Sequence, residues 1–210
     1  MSKPQMERRF LKGLELREDK AQDGRIATLV GYAALFNSLS EDLGGFRELI
    51  RPGAFKETLA RGDDIRALVG HDSKMVIGRR SAGTLTIAED DKGLRVEIAV
   101  PDTTAGRDLV VSVKRGDITG QSFGFQTVKD EWSRQSKDGD IVYRRELVQV
   151  DLFEVSAVAW PAYKDTSVEA RQLGDMKAIF EAARRSLAKD GQARRDRITR
   201  QYRERMKLWN

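Results

Sequence analysis

The sequence predicts an α+β fold, mainly β with a few helices. Three observations carry this reading. Short segments rich in β-branched and apolar residues recur between turn signals over residues 10–160. Only two stretches within that span show helical spacing, and a basic stretch with an apolar period near 3.6 follows it. At 210 residues the chain can bury one substantial core with an appended tail, and is too short for two large domains. The expected division is a domain over 1–170 and a basic helical extension over 171–210.

Residues 25–36 (RIATLVGYAALF) follow an Asp23-Gly24 turn and form the first clear strand. Pro52 opens RPGAFKETLARG, where Phe55 and Leu59 stand at i, i+4 and Gly62 is the stop. Segments 84–87 (TLTI) and 94–100 (LRVEIAV) flank EDDKG as a hairpin. Asp102 or Thr103 can cap TAGRDLVVSVKRG, in which Leu109 and Val113 share a face and Gly116 ends the helix. Segments 120–128 (GQSFGFQTV) and 142–160 supply further strands, the second after an exposed SKDGD turn. Strands at this spacing close into a barrel or a sandwich. In the extension, Thr166-Ser167-Val168-Glu169 has the form of a capping box, and Met176, Ile179, Phe180, Ala183 and Leu187 recur at helical spacing. Beyond Gly191, Ile198, Tyr202 and Met206 lie four residues apart.

Composition removes several function classes. There is no cysteine, which excludes disulfides, thiolate metal sites and a cysteine nucleophile, and fits a reducing, intracellular setting. The single histidine, His71, would leave a zinc site with one imidazole plus carboxylates, an uncommon ligand set, so neither metal nor other cofactor is expected. No apolar run approaches the roughly 18–20 residues of a membrane-spanning helix. The start, MSKPQMERRFLKG, has no apolar stretch after its charges and is not read as a secretory signal. The formal charge of +5 belongs to the extension, which holds 12 Lys/Arg against 5 Asp/Glu. The near-neutral body argues against nucleic-acid binding by the domain; only the tail could contribute it, as a secondary activity. A solvated helix packing its apolar stripe on the domain or on a partner is the leading expectation for that tail.

Three residues could do chemistry. His71, in RALVGHDSKMVIGR, follows a strand-like segment and a glycine, which places the ring at a strand end facing a groove. A lone histidine is more often structural than catalytic. Asp72 is discounted as its partner, because adjacent strand residues point to opposite faces. Ser122 lies in TGQSFGF, where Gly120 and Gly124 permit close backbone approach and a free N–H toward a developing oxyanion. GQSFG matches the bare G-x-S-x-G pattern, but FGFQTV continues as a strand where the hydrolase elbow needs a helix. A strand serine between bulge glycines is the alternative. Glu154 falls in the nearly apolar VDLFEVSAVAWPAY, and period-2 counting puts Val150, Leu152, Glu154 and Ser156 on one face. A carboxylate there must face a polar groove or pair with an arginine such as Arg79 or Arg80.

Taken as an ordered set, GYAALFN, ELIRPGAFKETL, LVGHD, IGR, GLRVEIAVPDTTAGRDL, GQSFGF and EVSAVAWPAY resemble the prohead maturation proteases of tailed phages over about residues 10–170. That serine-peptidase family shares the fold of herpesvirus assemblin. The resemblance implies a small closed β-barrel wrapped by helices and a His-Ser dyad completed by an acidic residue. These map to His71, Ser122 and Glu154. The oxyanion donors are not assigned by the sequence; backbone N–H groups near Phe123 and Gly124 are the candidates, with Arg79 or Arg80 able to assist. It further implies cleavage of the major capsid protein, of scaffold and of the protease itself inside the assembling prohead in the host cytoplasm, and a homodimer. The alternative is a non-enzymatic scaffold or capsid-associated protein in which all three residues are structural.

Overall fold

A computed structural model describes residues 6–17, 24–137, 140–159 and 176–193, together with residue 197. The elements run β1 (Glu7–Lys12), β2 (Leu14–Arg17), β3 (Arg25–Leu35), β4 (Phe46–Ile50), α1 (Lys56–Ala60), β5 (Arg66–Val69), β6 (Asp72–Arg79), β7 (Leu85–Glu89), β8 (Gly93–Pro101), α2 (Thr104–Arg115), β9 (Gly120–Lys137) and β10 (Asp140–Val158). Helical backbone returns over 176–193. The α+β class stands, with strands dominating.

Hydrogen bonding arranges the strands in two sheets. One has the order β1-β9-β10-β5-β6 with β4 beside β10, and the other β2-β3-β8-β7. Both bury one face in a common core that joins Leu29, Val96 and Ile98 of the smaller sheet to Phe123, Phe125, Val150, Leu152 and Val155 of the larger. The closed barrel implied by the resemblance is not found among the described residues. The chain passes from β1 in one sheet to β2 in the other at Gly13, whose φ of 119° only glycine adopts readily, while the ladders themselves stay separate.

The strand β10 organises the larger sheet. Its whole length pairs with β9, while its other edge is shared. β4 takes Tyr143 to Leu147, and β5 takes Glu154 to Ala157, both in parallel. In the gap, Val150 N–H donates to Ala54 O and Leu152 N–H to Thr58 Oγ1, so the α1 segment plugs the ladder. α1 starts later than Pro52 suggests, because residues 52–55 form turns. For α2 the cap is Thr103, whose hydroxyl accepts from Gly106 N–H at 3.1 Å, and Gly116 closes it at φ 80°.

Of the helical stripe in the extension, Met176 and Phe180 are buried against Phe46, with Leu43, Trp132 and Tyr143 around them. The capping box at Thr166–Glu169, Trp160, and the spacing of Ile198, Tyr202 and Met206 lie outside the described residues. No helix among the described residues is long and apolar enough to cross a membrane.

Candidate active site

The face of the larger sheet turned away from the core carries Ser122 and Glu154, and His71 reaches it from an adjoining turn. Ladder register lays it out in rows. One row runs Arg8, Gly124, Glu154, Arg66 across β1, β9, β10 and β5; the next runs Phe10, Ser122, Ser156, Leu68. Directly opposed strand residues share a face. Ser122 and Glu154 are therefore neighbours on a diagonal, two residues apart along β9 and along β10.

Their shared face depends on an irregularity. Strict alternation along β10 would put Glu154 with Val150 and Leu152, the expected arrangement. Instead the register shifts between Leu152 and Glu154, with Phe153 as the extra residue. Val150, Leu152 and Val155 enter the core, while Glu154 and Ser156 turn to the opposite face. Phe153 itself is left 41% exposed in an otherwise buried run.

His71 is not on a strand. Gly70 and His71, with φ of 59° and 63°, are the two central residues of the turn between β5 and β6, and Val69 pairs with Asp72 across it. Positive φ at both positions is the backbone of a type I′ hairpin. A histidine there is uncommon and costs backbone energy. The ring reaches back along β10 to Glu154, where Nδ1 lies 2.6 Å from Oε1. Nδ1 is thereby engaged, which leaves Nε2 as the nitrogen able to take a proton. Asp72 is occupied otherwise: its Oδ1 accepts from Lys74 N–H.

Glu154 is 6% exposed and multiply held. Oε1 receives His71, Oε2 accepts from Ser156 Oγ at 2.6 Å, and Arg8 Nε stands 3.9 Å from Oε1. The arginine beside Glu154 is thus Arg8, not Arg79 or Arg80. Arg79 donates to Asp64, and Arg80 donates to the carbonyls of Leu59 and Asp63. Ser122 is buried at 3% exposure, and no hydrogen bond joins it to His71 among the described residues. Such contacts are often loose before substrate binds. Phe123 buries its ring in the core, and β1 and β9 to β10 pairing flanks Phe123 and Gly124 on both sides, so their N–H groups lie in the sheet plane. No group of three or more His, Asp or Glu among the described residues is placed to hold a metal ion.

Sequence reasoning missed Ser156 and Arg8. Ser156 was visible as a small polar residue two beyond Glu154, but Arg8 had no signal, because β1 was not read as a strand.

Residues 12–179 match the family described as Caudovirus prohead serine protease. The prohead protease of Enterobacteria phage HK97 is 31% identical over 114 residues, which are 53% of this chain and 47% of that protein. The chain thus spans about half the length of that relative. Among solved structures, the bacteriophage T4 capsid assembly protease overlays with a TM-score of 0.47 at 12% identity, over 76% of this chain and 100% of the other.

Proposed function

The chain belongs to the Caudovirus prohead serine protease family, and from that premise we propose that it is a serine endopeptidase with Ser122 as nucleophile, His71 as general base and Glu154 as the orienting carboxylate. The observation that carries this is the 2.6 Å contact of His71 Nδ1 with a buried Glu154, on the sheet face that also holds Ser122. A buried carboxylate against Nδ1 fixes the tautomer with Nε2 as acceptor and stabilises the imidazolium that forms.

In this reading Ser122 Oγ attacks the substrate carbonyl carbon while its proton passes to His71 Nε2. The tetrahedral intermediate collapses as His71 returns that proton to the leaving amine. Water then attacks the acyl-Ser122 ester by the same proton relay, freeing the new carboxyl end and restoring Ser122. The substrates we propose are the major capsid protein and scaffold, with self-cleavage, inside the assembling prohead in the host cytoplasm. A homodimer and an assemblin-like arrangement belong to the same proposal and rest on the family resemblance alone.

Ser122→Ala and His71→Ala should each lower turnover by about 10⁶-fold, with the double variant no worse than either, because the two act as a unit. Glu154→Gln should be milder, with a loss of about 10⁴-fold or less. The decisive measurement is covalent labelling by a fluorophosphonate, read by mass on the intact chain. Labelling of Ser122 that disappears in Ser122→Ala and His71→Ala supports the assignment. A folded Ser122→Ala variant that still processes substrate at the normal rate sinks it.

A further inference from the structure

The two glycines flanking Ser122 lack side chains for different reasons, and the larger consequence belongs to Gly124. A Cβ built on Gly124 would lie 2.4 Å from Glu154 Oε1 and 3.0 Å from its Cδ. A Cβ on Gly120 would lie 2.0 Å from Cε2 of Phe10. Neither residue has positive φ, so backbone freedom does not explain the glycines. Each is a vacant place on the outer sheet face into which a neighbour's side chain has moved: a ring on one side of Ser122, a carboxylate on the other.

From this we infer that Gly124 is the seat of the Glu154 carboxylate and that Ser156 is its second anchor, both acting as positioning residues for His71. This rests on the proposed roles of Ser122, His71 and Glu154. The register puts Gly124 directly opposite Glu154, so the carboxylate lies across β9 only because nothing projects there. Ser156 is 1% exposed and donates to Oε2 at 2.6 Å, which fixes the rotation of the carboxyl plane. With one oxygen pinned by Ser156, the other is directed at His71 Nδ1. The G-x-S-x-G spacing in this strand therefore has a steric meaning unlike that of a strand–turn–helix elbow.

The expected effect of Gly124→Ala is specific. The atom it meets is the far end of a flexible side chain, so the carboxylate swings aside and the fold survives. His71 loses its partner, and a misplacement of about 1 Å at a catalytic group costs about 10²-fold in rate. Because His71 is the one histidine of the chain, its ring protons give a single, self-assigned set of NMR signals.

The test measures the fluorophosphonate labelling rate and the His71 Nδ1 proton signal in full-length wild type, Gly124→Ala, Ser156→Ala and Ser156→Thr. The inference expects a hydrogen-bonded, far-downfield Nδ1 proton in wild type. It expects Gly124→Ala and Ser156→Ala to lose that signal, and labelling to slow by about 10²-fold in Gly124→Ala. The retained hydroxyl of Ser156→Thr should restore both readouts. Wild-type labelling rate and Nδ1 signal persisting in folded Gly124→Ala would overturn it, as would slowed labelling with the signal intact. Should Gly124→Ala not fold, an unchanged signal in Ser156→Ala overturns it instead. A wild type that shows the Nδ1 signal yet never labels would count against the peptidase reading, separately from the seat.

Discussion

The backbone at His71 carries a cost that its chemistry explains. With φ at 63°, a residue bearing a Cβ crowds the following carbonyl, a penalty of about 1–2 kcal/mol. Glycine would occupy the position freely, as Gly70 does beside it at 59°. The turn therefore holds an energetically unfavourable residue at the point where an imidazole is aimed at Glu154. Comparing two variants isolates the term, because both lose the imidazole contact. His71→Gly should be more stable than His71→Ala by about 1 kcal/mol in urea unfolding, with both equally inactive. Equal stabilities would mean the turn bears no strain. The sequence placed His71 after a strand-like segment, but LVGHD carries no sign that Gly70 and His71 together make the turn. Histidine tolerates positive φ less readily than the Asn or Gly that usually mark such a hairpin. For Asp72 the expected exclusion agrees with the geometry, although the cause differs, since a turn and not strand alternation separates the two side chains.

At the scale of elements, β1 is fixed to its neighbours by buried charge. Arg145 on β10 donates to Glu7 at 2.6 Å, to Glu48 at 3.0 Å and to Asp130 at 2.6 Å, while Arg9 donates to Glu48 at 2.6 Å. Glu7 and Glu48 are only 5% and 3% exposed, and Arg145 only 2%. Groups so buried are tolerable only because each charge is paired. Burial alone would push the Glu7 carboxyl up; Arg145, Arg9 and Thr127 outweigh it and bring the pKa down to about 2 from 4.5. A depressed carboxyl contributes stability above its unfolded value and loses it as pH falls toward the folded one. Stability from Glu7 should therefore be complete above about pH 4.5 and vanish progressively toward pH 2, a loss of about 3 kcal/mol. Urea unfolding measured across that range should show the fall in wild type and a flatter profile in Glu7→Gln. A profile unchanged by the substitution would refute the assignment. None of this was legible in MERRF, a charged stretch whose partners lie far along the chain. The extra residue at Phe153 was equally hidden. Alternation in VDLFEVS is intact as a pattern, and only the pairing with β9 shows where it slips.

At the scale of the molecule, the charge-based boundary at residue 170 and the packing boundary differ. The basic character does begin there, yet the first turn of the helix over 176–193 is packed on the domain through Met176 and Phe180. The family match likewise continues to residue 179. The apolar stripe was readable from its spacing, but its docking surface was not, since Phe46, Trp132 and Tyr143 come from three different strands. Phe180 is the principal contact. Its ring centroid lies 5.5 Å from Phe46 and 5.0 Å from Tyr143, and its edge fills the space above Gly45, where a Cβ would stand 2.8 Å from Cε1. Beyond this turn the helix is more open, with Leu187 only half-buried. Docking should therefore be carried by the first turn and not by the stripe as a whole. Phe180→Ala should destabilise the protein by about 3 kcal/mol in urea unfolding, the low end for a buried phenylalanine because the site borders solvent. Leu187→Ala should cost less than about 1 kcal/mol. Gly45→Ala should act in the same direction as Phe180→Ala, since it both blocks the ring and strains a backbone at φ 109°. The two should also be non-additive, because with the ring removed only the backbone term at Gly45 is left to lose. Additive losses, or a Phe180→Ala loss below 1 kcal/mol, would show that the helix is not held to the domain through this contact.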